Sequence, residues 1–330
     1  MAAPPAQFPV RVVAIETLTP LIKAFRLAAA DGGTLPGFTP GAHVAVRIPA
    51  EPGGAERWRS YSLVTLSADA DPQAPQADYL IAVRLEEAGT GGSRFLHERV
   101  GEGDELVVRA PANDFPLTEA DDVVLVAGGI GVTPIAAMAA ALVRAGRRFR
   151  LHYTCRGADQ MAFRAELEAL AGPALRVHFD DDPATAFSVE GMLASCRPGQ
   201  PIYVCGPRGM IEALTGAARR RGWADADLHA ELFTAGAPQS GDQPFEVVLQ
   251  ASGMVLPVPA DRSLLDVLVD AGVFVAYDCR NGFCGLCTVT VLDGEIDHRD
   301  GFLLDEDKAG GRMMQICVSR ARSPRLVLDL

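Results

Sequence analysis

At 330 residues the chain is longer than a single hydrophobic core usually fills, so two or three domains are expected. With 48% hydrophobic and 22% charged residues it has the make-up of an ordinary globular protein, which excludes a largely disordered chain. A net charge of -12 argues against general affinity for nucleic acid or an anionic membrane, and the sequence has no uninterrupted apolar run of about 18 residues to span a bilayer.

The opening MAAPPAQFPV lacks a charged segment followed by an apolar run, so the chain is expected to stay in the cytoplasm. Seven cysteines, an odd number, then point to metal, redox or core roles rather than a disulfide framework.

From residue 8 to about 112 the sequence reads as six β-rich runs broken by turn residues: FPVRVVAIETL, IKAFRLAAA, HVAVRIPA, RSYSLVTL, DYLIAVRLEE and DELVVRAP. Short strands separated by Gly, Pro and Asp predict a small antiparallel barrel. Within it, RWRSYSL sets Arg59, Ser60, Tyr61 and Ser62 at the start of a strand. A tyrosine ring there can pack on a planar flavin, serine hydroxyls or backbone amides can hydrogen-bond its edge, and Arg59 can reach a phosphate. An edge-strand aromatic beside a surface arginine is the plainer alternative. Further on, Gly91, Gly92, Ser93 and Arg94 precede a short helical run. Glycines ahead of a helix N-terminus, with a hydroxyl and an arginine, suit the phosphate of a flavin mononucleotide; a capped surface loop is the competing reading.

From about residue 121 the pattern becomes strand and helix in alternation: DDVVLVAGG, TPIAAMAAALVRAG, RRFRLHYTCR, DQMAFRAELEALAG, LRVHFD, SVEGMLASC, PIYVCGP and MIEALTGAARRRG. The clearest strands are unbroken apolar runs, which predicts a parallel, doubly wound sheet covered on both faces. In VLVAGGIGVTP, Gly128, Gly129 and Gly131 would let a pyrophosphate approach the backbone at a helix N-terminus, with Thr133 as N-cap and Pro134 at the first helical position. The spacing is not G-x-G-x-x-G, and a glycine turn serving only tight packing stays open as the alternative. Cys205, Gly206 and Pro207 end another buried strand at the carboxyl edge of the sheet, where open α/β folds bind ligands. Cys155 and Cys196 have no partner motif and read as core residues. Arg156, the first charged residue after the second strand, could meet a 2'-phosphate, and Asp159 follows later, so these residues leave NADH or NADPH undecided.

The stretch 233–244, FTAGAPQSGDQP, reads as a linker. After it come strands FEVVLQ and MVLPVP, a helical SLLDVLVDAG, the loop YDCRNGFCGLCTV, and the segments TVTVLDGEI and RLVLDL. Cys279, Cys284 and Cys287 follow C-x4-C-x2-C, and Cys317 comes after 29 intervening residues. That is the plant-type spacing for a [2Fe-2S] cluster held by four thiolates. A four-cysteine zinc site would pair its ligands as two C-x2-C knuckles, which this chain does not.

Taken in order, R-S-Y-S, G-G-S-R, G-G-I-G-V-T-P, C-G-P, HAELF and the cysteine pattern resemble the phthalate dioxygenase reductase family, whose relatives include vanillate O-demethylase reductase subunits. The resemblance covers nearly the whole chain. It implies a ferredoxin reductase-like FMN barrel over 1–116, an α/β nucleotide-binding domain over 117–233, a linker over 234–243 and a β-grasp ferredoxin domain over 244–330. It also implies that Arg59, Ser60, Tyr61, Ser62, Ala82, Val83, Arg84, Gly91, Gly92, Ser93 and Arg94 hold FMN, with Thr133 and Phe233 approaching it from the other domains. Gly128, Gly129, Gly131, Arg156, Cys205, Gly206 and Pro207 would take the nicotinamide nucleotide, and the family favours NADH. Ser62, Cys205 and Glu231 would organise hydride transfer by position rather than by giving a proton.

The activity so implied is two-to-one electron conversion: hydride from NAD(P)H to the flavin, then single electrons through the [2Fe-2S] cluster. The sequence shows no oxygen-activating ligand set, so a terminal oxygenase component, of the Rieske type by resemblance, is the expected partner. A haem monooxygenase, a diiron oxygenase or a redox-sensing role without turnover stay as alternatives. Residues 244–330 hold eight basic against thirteen acidic residues, which suggests an acidic face toward that partner.

Overall fold

A computed structural model describes residues 6–49, 57–86, 91–233, 241–277, 280, 282 and 285–330. It divides into two compact units, Met1–Leu228 and His229–Leu330. Among the described residues no helix is long and apolar enough to cross a membrane.

The first unit opens with β1 (Gln7–Thr19), β2 (Ile22–Ala29), β3 (His43–Ile48), β4 (Arg57–Ser62) and β5 (Asp78–Arg84), then α1 (Gly92–Arg99) and β6 (Glu105–Arg109). These six strands lie in the order β4-β3-β6-β1-β2-β5, every pair antiparallel. A bridge from Leu63 to Ile81 and a bond from the Val64 amide to Leu80 O at 2.9 Å join the ends of the sheet into a barrel. Alternating burial along β3 turns Val44, Val46 and Ile48 into the barrel core.

The alternating segment follows: β7 (Asp122–Gly128), α2 (Val132–Arg144), β8 (Arg148–Cys155), α3 (Arg164–Ala171), β9 (Leu175–Phe179), α4 (Val189–Ala194), β10 (Ile202–Cys205) and α5 (Arg208–Arg220). Strands β10, β7, β8 and β9 lie side by side in that order and are all parallel. Every residue of β7 from Val123 to Gly128 is buried, as a central strand covered on both faces requires. The chain leaves β7 toward β8 on one side and reaches β10 on the other. The crevice beyond the carboxyl ends of β7 and β10 is therefore the topological switch point where such sheets bind ligands.

Barrel and parallel sheet share one core. Ile22, Ala24, Val64, Ala82 and Phe115 are in a single buried cluster with Val132, Ile135 and Met138 of α2. At the outer side of the sheet, His152 of β8 and His178 of β9 stack 5.2 Å apart with Phe187 edge-on to both. His152 Nδ1 and His178 Nε2 are 3.0 Å apart, and His178 Nδ1 lies 2.9 Å from Thr185 O. Because only a protonated Nδ1 can donate to that carbonyl, His178 Nε2 is the acceptor and His152 Nδ1 the donor. Burial, with His178, Arg150 and Arg176 nearby, holds the His152 pKa down at about 4.

The short strand β11 (Leu228–Glu231) spans the division between the units. The second unit then holds β12 (Phe245–Leu249), β13 (Val255–Val258), α6 (Leu264–Asp270), β14 (Thr288–Asp293), β15 (Ile296–Asp297), α7 (Asp305–Gly310), β16 (Met313–Gln315), β17 (Arg320–Ala321) and β18 (Arg325–Leu328). Its main sheet runs β13-β12-β18-β14-β16, with β12 and β18 parallel at the centre, and β15 pairs with β17 beside it. Helix α6 buries Leu264, Leu265, Val267 and Leu268 in the core of this β-grasp unit. Ser263 caps α6 by accepting from the Asp266 amide at 3.1 Å. At the end of the stretch read as a linker, Asp242 is held by Arg299 at 2.6 Å, with Arg320 3.7 Å away, all three side chains being largely buried.

Two local expectations change. Arg59, Ser60, Tyr61 and Ser62 are the last four residues of the six-residue β4, not its start: pairing runs from Arg57 opposite Ile48 to Ser62 opposite His43, and the chain then crosses to close the barrel. Nor is Thr133 an N-cap. A tight turn over Gly129–Gly131 starts α2 at Val132, Gly131 takes the cap position, Pro134 falls in the third helical position, and the Thr133 hydroxyl donates back to Ile130 O at 3.0 Å.

Candidate functional site

On the barrel, the two segments read as a flavin cradle come together. A Cβ at Gly92 would lie 2.7 Å from Arg59 Cγ and 3.3 Å from the Tyr61 hydroxyl, so β4 passes directly against the first residue of α1. Gly91, at φ 92°, turns the chain into that helix in the left-handed conformation that glycine adopts without cost. The guanidinium of Arg59 donates to Trp58 O at 2.9 Å; burial and the adjacent Arg57 lower its pKa, and burial raises that of the Tyr61 phenol. A helix N-terminus beside an arginine fits a phosphate-bearing group. Ser93 is otherwise engaged: its hydroxyl accepts from the Glu86 amide at 3.0 Å. Arg84 pairs with Glu86, and Arg94 reaches Glu98 at 3.8 Å. Ser60 is exposed and Ser62 buried.

Ala82 and Val83 lie on β5, which hydrogen-bonds to β2 and touches the turn Gly129–Gly131. That contact brings the strand expected to hold flavin against the turn expected to hold the nucleotide. There the glycines have distinct jobs. A Cβ on Gly131 would sit 2.2 Å from Cys205 O, and one on Gly206 would sit 2.9 Å from the Gly128 Cα, so the loops after β7 and β10 pack backbone against backbone. Gly129, at φ 53° with open space around it, is needed for conformation alone. Lying at the switch point and just before α2, with open space at Gly129, this turn fits a pyrophosphate. Cys205 is wholly buried at the end of β10, and Thr133 is buried as well. Pro207 stands as the residue before α5 and would lie 2.6 Å from a Cβ on Gly128.

Arg156 is exposed just beyond β8. A Cβ on the neighbouring Gly157 would lie 2.7 Å from an Asp181 carboxylate oxygen and 3.1 Å from one of Asp159. Asp181, which the sequence reading passed over, arrives there because its amide donates to Arg156 O at 3.0 Å. Its only signal in the sequence is the acidic run 180–182 after a strand. Cys155 is buried, which raises its thiol pKa to about 11, and Cys196 lies against Met192 O and Arg150, in keeping with structural roles.

Glu231 and Phe233 belong to the second unit, the first buried and the second half exposed. In the cysteine loop, Cys279 and Cys284 lie outside the described residues. Cys287 and Cys317 are buried, and their sulfurs approach to 3.1 Å without a disulfide. Two thiolates on one tetrahedral metal with bonds of about 2.3 Å sit about 3.8 Å apart, so a small opening of this pair fits a shared ion. Arg280, Gly282 and Gly285 all have positive φ, a backbone conformation that glycine adopts most readily. The two glycines also meet steric limits: a Cβ on Gly282 would strike Val318 at 2.6 Å, and one on Gly285 the Phe302 ring at 2.4 Å.

Two family models match: a 2Fe-2S iron-sulfur cluster binding domain over residues 247–322, and the N-terminal domain of dimethylamine monooxygenase subunit DmmA-like proteins over 115–228. The chain is 41% identical over 324 residues to a vanillate O-demethylase oxidoreductase of Pseudomonas sp., covering 94% of this chain and 99% of that protein. It is 40% identical to a carnitine monooxygenase reductase subunit of Escherichia coli, covering 98% of each. Among solved structures it is similar to a phthalate dioxygenase reductase described as modular for electron transfer from pyridine nucleotides to [2Fe-2S]. That match has a TM-score of 0.67, 36% identity and 98% coverage of both chains.

Proposed function

Because this chain belongs to the phthalate dioxygenase reductase family, we propose that it is the reductase component of a multicomponent oxygenase. It takes reducing equivalents from NADH and delivers them singly, in the cytoplasm, to a terminal oxygenase of the Rieske type. When bound, FMN supplies the step from hydride to single electrons and the [2Fe-2S] cluster carries them one at a time.

The chain's own residues do the positioning. The backbone at Gly128, Gly129, Gly131, Gly206 and Pro207 holds the pyrophosphate, with the carboxylates at Gly157 taking the ribose hydroxyls. Two carboxylates beside one exposed arginine accept hydrogen bonds from a 2'-hydroxyl and repel a 2'-phosphate, which favours NADH over NADPH. Arg59, Tyr61, Ser62 and the α1 N-terminus hold FMN on the barrel, with Arg84 and Arg94 at its rim. Cys279, Cys284, Cys287 and Cys317 hold the cluster. Cys205 and Thr133, both buried, shape the floor of the hydride-transfer crevice. The observation that supports this reading is the contact of β5 with the turn Gly129–Gly131 and the core that β5 and α2 share.

The test is the visible spectrum of the purified protein under anaerobic conditions, before and after NADH or NADPH in separate cuvettes. A flavin band with an iron-sulfur shoulder, both bleached by NADH and much more slowly by NADPH, is expected. A colourless zinc protein would overturn the assignment of the four cysteines, and equal bleaching by the two nucleotides would overturn the role given to Asp159 and Asp181.

A further inference from the structure

Beside the cysteine pair lies a polar side chain with no assigned part in electron transfer. Gln315 ends β16 and is wholly buried. Its Oε1 is 3.1 Å from Cys287 Sγ, the same distance that separates Cys287 from Cys317. The amide does not reach there by chance of rotation: antiparallel pairing sets Gln315 opposite Thr288, the first residue of β14 and the one after Cys287. Its Nε2 donates to the Thr288 hydroxyl and faces Gly285 O at 3.5 Å, while that hydroxyl donates to Gly285 O at 2.5 Å. Gly285 O also receives the Thr288 amide at 3.1 Å.

This network suits a protonated thiol, whose S–H can donate to Oε1. A cluster ligand is a thiolate and can only accept. Two lone-pair-bearing atoms at 3.1 Å would then repel each other in a site closed to water. A half-turn of the amide about its last bond exchanges O and N with almost no change of shape. Nε2 then donates to Cys287 Sγ, and Oε1 accepts from a Thr288 hydroxyl that has rotated toward it. Gly285 O keeps the Thr288 amide, so no buried group is left without a partner.

We propose that Gln315 is a positioning residue of the iron-sulfur centre, its side-chain amide turning to give an N–H···S bond to the Cys287 thiolate. The proposal rests on the cluster assignment above. A hydrogen bond to a ligand sulfur draws off negative charge and favours the reduced cluster, so Gln315 raises the reduction potential and eases electron entry from the flavin.

The test uses the full-length holoprotein. Gln315→Met keeps length and volume and removes the donor. An EPR-monitored redox titration should show its cluster midpoint shifted to lower potential than wild type, with flavin potentials unchanged. Independently, pulsed EPR of reduced wild-type protein labelled with 15N at the glutamine side-chain amides should show a 15N coupling to the cluster. This measurement stands even where the Met variant fails to load. A loaded variant with an unshifted potential, or a loaded wild type with no 15N coupling, overturns the proposal while leaving the cluster assignment intact. Absence of any cluster signal overturns both.

Discussion

Acid should weaken the first unit through His152. Its pKa in the folded protein is about 4 against an ordinary 6.5, because burial disfavours the imidazolium and His178, Arg150 and Arg176 add like charge. Above pH 6.5 the ring is neutral in both folded and unfolded chains and the unit has its full stability. As pH falls below 6.5 the unfolded chain binds a proton that the folded one refuses, at about 1.4 kcal/mol per pH unit, so roughly 3 kcal/mol is lost by pH 4. The His178 pKa is also lowered by burial and acts in the same direction. Against a typical domain stability of about 5–15 kcal/mol this is a large share. Both tryptophans, Trp58 and Trp223, lie in this unit, so intrinsic fluorescence during urea unfolding reports on it. Midpoints measured from pH 7.5 down to pH 5 should fall in wild type and fall less steeply in His152→Gln, whose amide can still donate to His178 Nε2. An equal slope in the two proteins would refute the reasoning.

Gly131→Ala puts a methyl 2.2 Å from Cys205 O, and the loops after β7 and β10 must part. Overpacking of this kind costs about 1–3 kcal/mol, so KM for NADH should rise by roughly tenfold or more while flavin and iron contents hold; an unchanged KM would count against the crevice. If Arg59 is the charged partner proposed for the FMN phosphate, worth about 1.5–3 kcal/mol, FMN should dissociate roughly ten- to a hundredfold more readily from Arg59→Ala, read from the fluorescence of released flavin. Asp242→Asn takes the shared counter-ion from Arg299 and Arg320. Loss of one partner from a buried pair costs about 3 kcal/mol, so the cluster absorbance should bleach at lower urea than in wild type.

Much of the fold was legible before any coordinates. The six barrel strands stand out because each has alternating or β-rich residues closed off by turn formers, and β7 and β10 because a strand covered on both faces must be apolar throughout. The ferredoxin unit was legible for a chemical reason: four thiolates at C-x4-C-x2-C and a distant fourth have few uses other than a cluster. The two-residue strands β15 and β17, the three-residue β16 and the helix α7 went unread, since elements so short carry no periodicity.

Local residue preference also misassigned Thr133. The T-P pair reads as cap and first turn, whereas the tight turn of Gly129–Gly131 began the helix earlier.

The sequence alone carries the expected chemistries: an arginine and serines on a barrel read as a flavin site, a glycine turn read as a nucleotide site, and four cysteines at the spacing of a [2Fe-2S] cluster. What only the tertiary structure decided is which residues far apart in the chain meet. Gly131 must be glycine because β7 and β10, more than seventy residues apart, pair in parallel and bring Cys205 O against it. Asp181 joins Asp159 at Gly157, and Gln315 meets Cys287, for the same reason. Strand register, set by the packing of whole sheets rather than by neighbours in sequence, determines those contacts.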